Sequence, residues 1–146
     1  MSYATIEAAA VAVLRTHADF DDTNCRAGDV SPIKSGLARV ARFLYGGVRE
    51  EQLTITMLRH IWTVNVDLYV PYRGDVPELE GRLATERQKV LGTFDEYPLL
   101  DGTAGVQWAR IINGANPEPL NPKKASYRGQ RLFLEVAEVT KPGRVE

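Results

Sequence analysis

The sequence predicts an α+β domain: a mostly antiparallel sheet of about five strands with two helices packed on one face. Three observations predict it. Two stretches repeat apolar residues at three- and four-residue spacing, which is the period of a helix. Others alternate apolar and polar residues, which is the period of a strand with one buried face. Finally, the elements read in the order helix, three strands, helix, two strands. A length of 146 residues with 44% hydrophobic content suits one domain with its own core. The domain is expected to span residues 1–146, with a flexible tail from about residue 141.

Residues 3–16 read as the first helix. Ile6, Ala9, Ala10, Val13 and Leu14 form one stripe, and Ser2 is its candidate N-cap. The alanines allow close approach to a neighbour. Residues 17–30, HADFDDTNCRAGDV, are dense in Asp, Asn and Gly and read as a loop.

GLARVARFLYGG, from Gly36, reads as a strand ending at Gly46-Gly47. QLTITML, from Gln52, alternates with Leu53, Ile55 and Met57 on one face. IWTVNVDLYV, from Ile61, alternates with Trp62, Val64, Val66, Leu68 and Val70 on one face. The apolar parity changes between these two stretches. A bulge or break near residues 59–61 is therefore expected, because a strand cannot swap faces without an extra residue. Thr63, Asn65 and Asp67 take the opposite face, toward water or a partner.

Asp75, Pro77 and Glu78 form a capping-box pattern. Leu79, Leu83, Val90, Leu91 and Phe94 then give the second helix its stripe, which Gly81 and Gly92 weaken by about 1 kcal/mol each against alanine. VQWARII, from Val106, reads as a short strand. Residues 113–129 contain three prolines and read as a long exposed loop. QRLFLEVAEV, from Gln130, closes the sheet.

Little in the chain points to chemistry. A net charge of −1 lacks the basic excess of a free-standing nucleic-acid binder. One cysteine, Cys25, excludes an internal disulfide and fits a reducing compartment. No apolar run is long enough to span a bilayer, and the N-terminus lacks the pattern of a signal peptide. The only histidines, His17 and His60, have no second imidazole or thiol at metal-ligand spacing. DFDDTN, from Asp19, starts like a calcium loop but lacks the glycine and the closing glutamate. GDVSPIKSG places Ile33 where a phosphate loop needs glycine. Cys25 has no nominated base, so no nucleophile is assigned. Trp62, Trp108, Tyr69 and Tyr72 fit packing better than a ligand platform. Lys123, Lys124 and Arg128 form a small basic cluster, either ordinary solubility or a dock for an acidic surface. The expectation is a protein that works through its surfaces, with no cofactor, no metal and no catalysis.

The stretch IWTVNVDLYVPYRGD, the helix and turn ERQKVLGTFDEYPLLDGTAGVQWARIING and the closing RLFLEVAEV together resemble the tail terminator and tail completion proteins of long-tailed bacteriophages. Trp62, Leu68, Tyr69, Tyr72, the helix from Pro77 to Phe94, Tyr97-Pro98-Leu99, Asp101-Gly102-Thr103 and the strand around Trp108 carry the resemblance. The alanine-rich first helix fits as well, so the likeness runs from Ser2 to about Val139. It implies a small sandwich of sheet and helices, without cofactor or catalysis. It further implies a ring, typically a hexamer, that caps the head-proximal end of the tail tube. The implied partners are copies of itself, the tail tube protein and a neck or connector protein. DNA would only pass through the lumen, and no membrane is involved. The implied location is the tail–neck junction of the virion, after synthesis in the host cytoplasm.

The resemblance transfers no individual contacts. The interface candidates rest on loop position, strand face and charge: Asp19, Asp21 and Asp22 in the first loop; Arg49; Thr63, Asn65 and Asp67; and Lys123, Lys124 and Arg128 in the second loop. Three competing readings stand beside the terminator: a neck protein next to it, a small ligand-binding or enzymatic domain, and an adaptor or antitoxin-like interaction domain.

Overall fold

The first apolar stripe forms helix α1, Tyr3–Leu14. Ile6, Ala10, Val13 and Leu14 are buried, as the spacing requires, and Val11 joins them. The helix closes with tightened bonds from Thr16 N to Val13 O and from His17 N to Leu14 O. In the computed structural model, residues 3–28, 33, 36–71, 76–112, 118–120 and 127–140 are described. Ser2, Tyr72, Asp75, Lys123, Lys124 and the expected tail from 141 lie outside them.

Among the described residues six strands follow the first helix: β1 Cys25–Ala27, β2 Val40–Thr54, β3 Met57–Pro71, β4 Val106–Ile111, β5 Glu118–Leu120 and β6 Tyr127–Thr140. Helix α2, Val76–Glu96, joins β3 to β4. The sheet order is β1-β2-β3-β6-β4, with β5 also on β6. Among the described residues only the β1–β2 pairing is parallel. The α+β class and the largely antiparallel sheet are as the sequence predicts.

Four local readings need correction. β2 does not end at Gly46-Gly47 but runs on to Thr54. QLTITML is therefore no separate strand: its start finishes β2, Ile55 and Thr56 make the turn, and Met57 opens β3. The expected bulge at 59–61 is absent, since β3 pairs with β6 without interruption from Leu58 to Pro71. The register shifts of the β2–β3 pairing lie on β2, at Tyr45/Gly47 and Gln52/Thr54. The turn at 55–56 changes the phase between the two apolar stretches, and the shift at Tyr45/Gly47 has its own reason in the glycine pair. Gly47 has φ +120°, which ordinary side chains rarely adopt, so the extra residue is absorbed there. Finally, the two segments read as loops each hold a short edge strand, β1 and β5, and proline is tolerated in β5 because it is an edge.

Both helices pack on one sheet face and against each other. Phe43, Val64, Val66, Leu68, Leu132, Leu134 and Val136 face them and are buried. Val90 and Phe94 of α2 join this core, while Leu79 and Leu83 pack with Val70 as a smaller cluster. Phe43 and Phe94 meet with ring centroids 6.4 Å apart. Among the described residues, no helix is long and apolar enough to cross a membrane.

Candidate functional site

The sheet face away from the helices is built by strand register, row by row. Arg42, Asp67 and Arg131 stand opposite one another on β2, β3 and β6. The next row is Leu44, Asn65 and Phe133. Then come Gly47, Thr63, Glu135 and Arg110, followed by Arg49, Ile61, Ala137 and Trp108. The last row holds Glu51, Arg59 and Val139.

At two positions on it a carboxylate lies deep and its guanidinium partner lies outside. Arg131 grips Asp67 with two bonds, of 2.7 and 3.0 Å. The Asp67 side chain is 3% exposed and that of Arg131 27%. Arg49 reaches Glu135 at 2.7 Å, with exposures of 53% and 9%. Arg59 bonds Glu51 across the β2–β3 hairpin. Exposed Arg110 lies over the Trp108 ring, 4.6 Å from its centroid. Each deep carboxylate fixes an arginine from below and leaves part of the guanidinium facing out. The Glu135 bond holds the Arg49 pKa above its usual value, and burial followed by the Asp67 charge raises that of Tyr69. Two glycines make room on this face. A Cβ on Gly46 would stand 2.5 Å from Asn65 Oδ1, and one on Gly129 2.5 Å from the Tyr69 ring.

Carboxylates gather around the loop after α1 and the end of α2, among them some paired with Arg39 and Lys89. Asp21 Oδ1 accepts bonds from the N–H groups of Thr23 and Asn24, which closes the loop after α1. Lys89 of α2 bonds Asp19 and Glu86, each at 3.0 Å, and Arg39 bonds Glu86 at 2.9 Å. The Lys89 bond holds the Asp19 carboxyl below its usual pKa. Burial would lower the Lys89 pKa, but Asp19 and Glu86 more than offset it. The last turn of α2 carries no base. Asp95 and Glu96 there are exposed, without an ion-pair partner among the described residues. They sit at the negative end of the helix dipole, where carboxylates are disfavoured. An open cleft of about 440 Å³ runs beside them, lined by His17, Lys89, Glu96 and Tyr97 among others.

A third feature is the β2–β3 hairpin. Each strand has 15 residues, roughly 50 Å of chain at 3.3 Å per residue. β1 covers β2 only at Ala41–Phe43, so beyond Tyr45 that edge has no neighbouring strand among the described residues. Tyr45, Val48, Leu53 and Ile55 are exposed along it, Ile55 by 92%. At its base Tyr3, Tyr45 and Trp62 cluster, with centroids 4.8 to 6.5 Å apart. His60 stands between Glu50 at 3.1 Å and buried Glu138 at 3.8 Å.

The interface candidates thus fall in several places. Asp21 and Asp22 are exposed on the loop after α1, and Asp19 is tied to Lys89. Arg49, Thr63, Asn65 and Asp67 share the helix-free face, with Asp67 buried under Arg131. Arg128 bonds Glu80 of α2 at 3.1 Å, on the helix side. Sequence reasoning missed Arg42, Arg59, Arg110 and Arg131. Their alternation with apolar residues was visible, but their opposite numbers on neighbouring strands were not. Among the described residues no three His, Cys, Asp or Glu converge to hold a metal. Burial pushes the Cys25 thiol up to about 12. No family model matches the chain, and no curated protein does.

Proposed function

We propose that this protein closes the head-proximal end of the tail tube of a long-tailed bacteriophage as a ring. In that role it ends tube growth and offers the neck a surface to join. One observation carries the reading beyond the sequence resemblance: the long β2–β3 hairpin with Leu53 and Ile55 exposed near its tip. Apolar side chains held out at the end of a paired strand cost solubility unless a partner covers them. A terminator needs one surface that matches the last tube ring and a second that does not repeat it. The hairpin tip is the candidate for the first.

The mechanism is shape-matched docking followed by closure. A head-to-tail contact repeated around an axis makes a ring when the rotation closes. The test is co-assembly with polymerising tube subunits. The protein is expected to shorten the tubes and to appear at one end of each by negative-stain microscopy. The pair Leu53→Thr and Ile55→Asn is expected to abolish capping while leaving the circular dichroism and the melting temperature near wild type. Tubes of unchanged length with wild-type protein would end the proposal. Binding to isolated neck complexes without any effect on tube length would instead place the protein one ring nearer the head.

A further inference from the structure

We propose that the arginine-bearing sheet face docks on the exposed carboxylates of a second copy of this chain, on the last turn of α2 and the loop after α1. This deepens the ring reading and rests on it only for closure.

The argument starts from charge on the helix-free face. Among the described side chains it holds six arginines (Arg26, Arg42, Arg49, Arg59, Arg110, Arg131) and three carboxylates (Glu51, Asp67, Glu135). Asp67 and Glu135 lie beneath the arginines that they hold, so the outward potential is more positive than that surplus alone. The whole chain carries −1, so the rest of it is acidic on balance. Side chains fixed from below lose little freedom when they meet a partner.

The complementary surface is on the same chain. Asp95 and Glu96 are exposed, unpaired among the described residues and placed where the helix dipole disfavours them. Asp21 and Asp22 are exposed on the loop after α1, which Lys89 ties to α2 through Asp19 and whose residues 16–18 line the same cleft as Glu96. Guanidinium groups from a neighbour relieve this local excess of negative charge. The two surfaces lie on different layers of one copy, the sheet and the helices. A contact between them is therefore heterologous and can propagate. A nucleic acid would also suit arginines and aromatic rings on a sheet, but it leaves these carboxylates unanswered.

Sedimentation velocity at low and high salt provides the test. Wild-type protein is expected to associate with rising concentration and to dissociate with salt. Asp95→Lys with Glu96→Lys should abolish association while raising the melting temperature, because lysine suits a helix C-terminus. Arg110→Glu should abolish association too, and Arg110→Gln serves if the reversal perturbs the circular dichroism. The decisive arm mixes the two charge-reversed proteins. Each fails alone, yet together they should associate, since each supplies what the other lacks. A wild-type protein that stays monomeric at low salt would overturn the inference, and so would mixed variants that stay apart. Binding of a labelled single-stranded oligonucleotide that Arg110→Glu abolishes, with self-association untouched, would reassign the face to nucleic acid. Charge-dependent open chains that never close, and never cap tubes, would keep this contact and remove the ring. Closed rings indifferent to every charge change would do the reverse.

Discussion

Replacing Asp67 by Asn tests how the helix-free face is held together. The Asp67 carboxylate is 3% exposed and takes two bonds from Arg131, at 2.7 and 3.0 Å. Asparagine keeps the size but removes the charge, and its amide nitrogen faces a donor. Breaking a buried ion pair from one side costs about 3–5 kcal/mol. Here the discount is real, because the Arg131 side chain is 27% exposed and water takes over part of its solvation. The expected loss is then about 2–3 kcal/mol. A chain of 146 residues has an unfolding entropy of roughly 0.3 kcal/mol per kelvin, so the melting temperature should fall by about 7–10 °C. Urea unfolding should show the same loss in midpoint with an unchanged slope. Replacing both partners, as Asp67→Leu with Arg131→Met, should recover most of it, since no charge is then stranded. A loss under about 1 kcal/mol for Asp67→Asn would refute the claim that a buried carboxylate anchors this arginine.

Three further outcomes follow from other parts of the fold. Gly129→Ala drives a Cβ to 2.5 Å from the Tyr69 ring and 2.8 Å from Leu68 O, and should cost about 1–3 kcal/mol in urea unfolding. The folded pKa of Asp19 lies below its unfolded value. Its contribution is therefore present above about pH 4, fades as pH falls through the folded pKa, and should vanish from the difference between wild type and Asp19→Asn in acid melts. Cys25 is fully buried with its thiol pushed up to about 12, so a thiol reagent at pH 8 should modify it only at the rate of unfolding. Fast modification of native protein would contradict that burial.

Much of the fold was legible because it is periodic. Of the two stripes, Ile6, Ala10, Val13 and Leu14 and then Leu79, Leu83, Val90 and Phe94 are buried where their spacing places them, while Ala9 and Leu91 are half-buried. The alternation of Trp62 to Val70 sets one face of β3 against the helices. What misled was the hairpin. Leu53, Ile55 and Met57 alternate like a core-facing strand, yet Leu53 and Ile55 are exposed and the turn passes through Ile55. Alternation reports that two faces differ; it does not report that either is covered. The phase change between the two apolar stretches was real, but its cause is a turn at 55–56, not a bulge in β3.

The sequence by itself determined the class of fold, the two helix stripes, the phase of the central strand and the scarcity of recognisable catalytic motifs. Only the tertiary structure decided which charges meet. Asp67 and Arg131 are 64 residues apart, and Arg49 and Glu135 are 86 apart. Local spacing fixes the face that a side chain takes, since that depends on its own backbone. Its neighbour across the sheet depends on the register between strands, which for β3 and β6 is fixed by residues far apart in the chain.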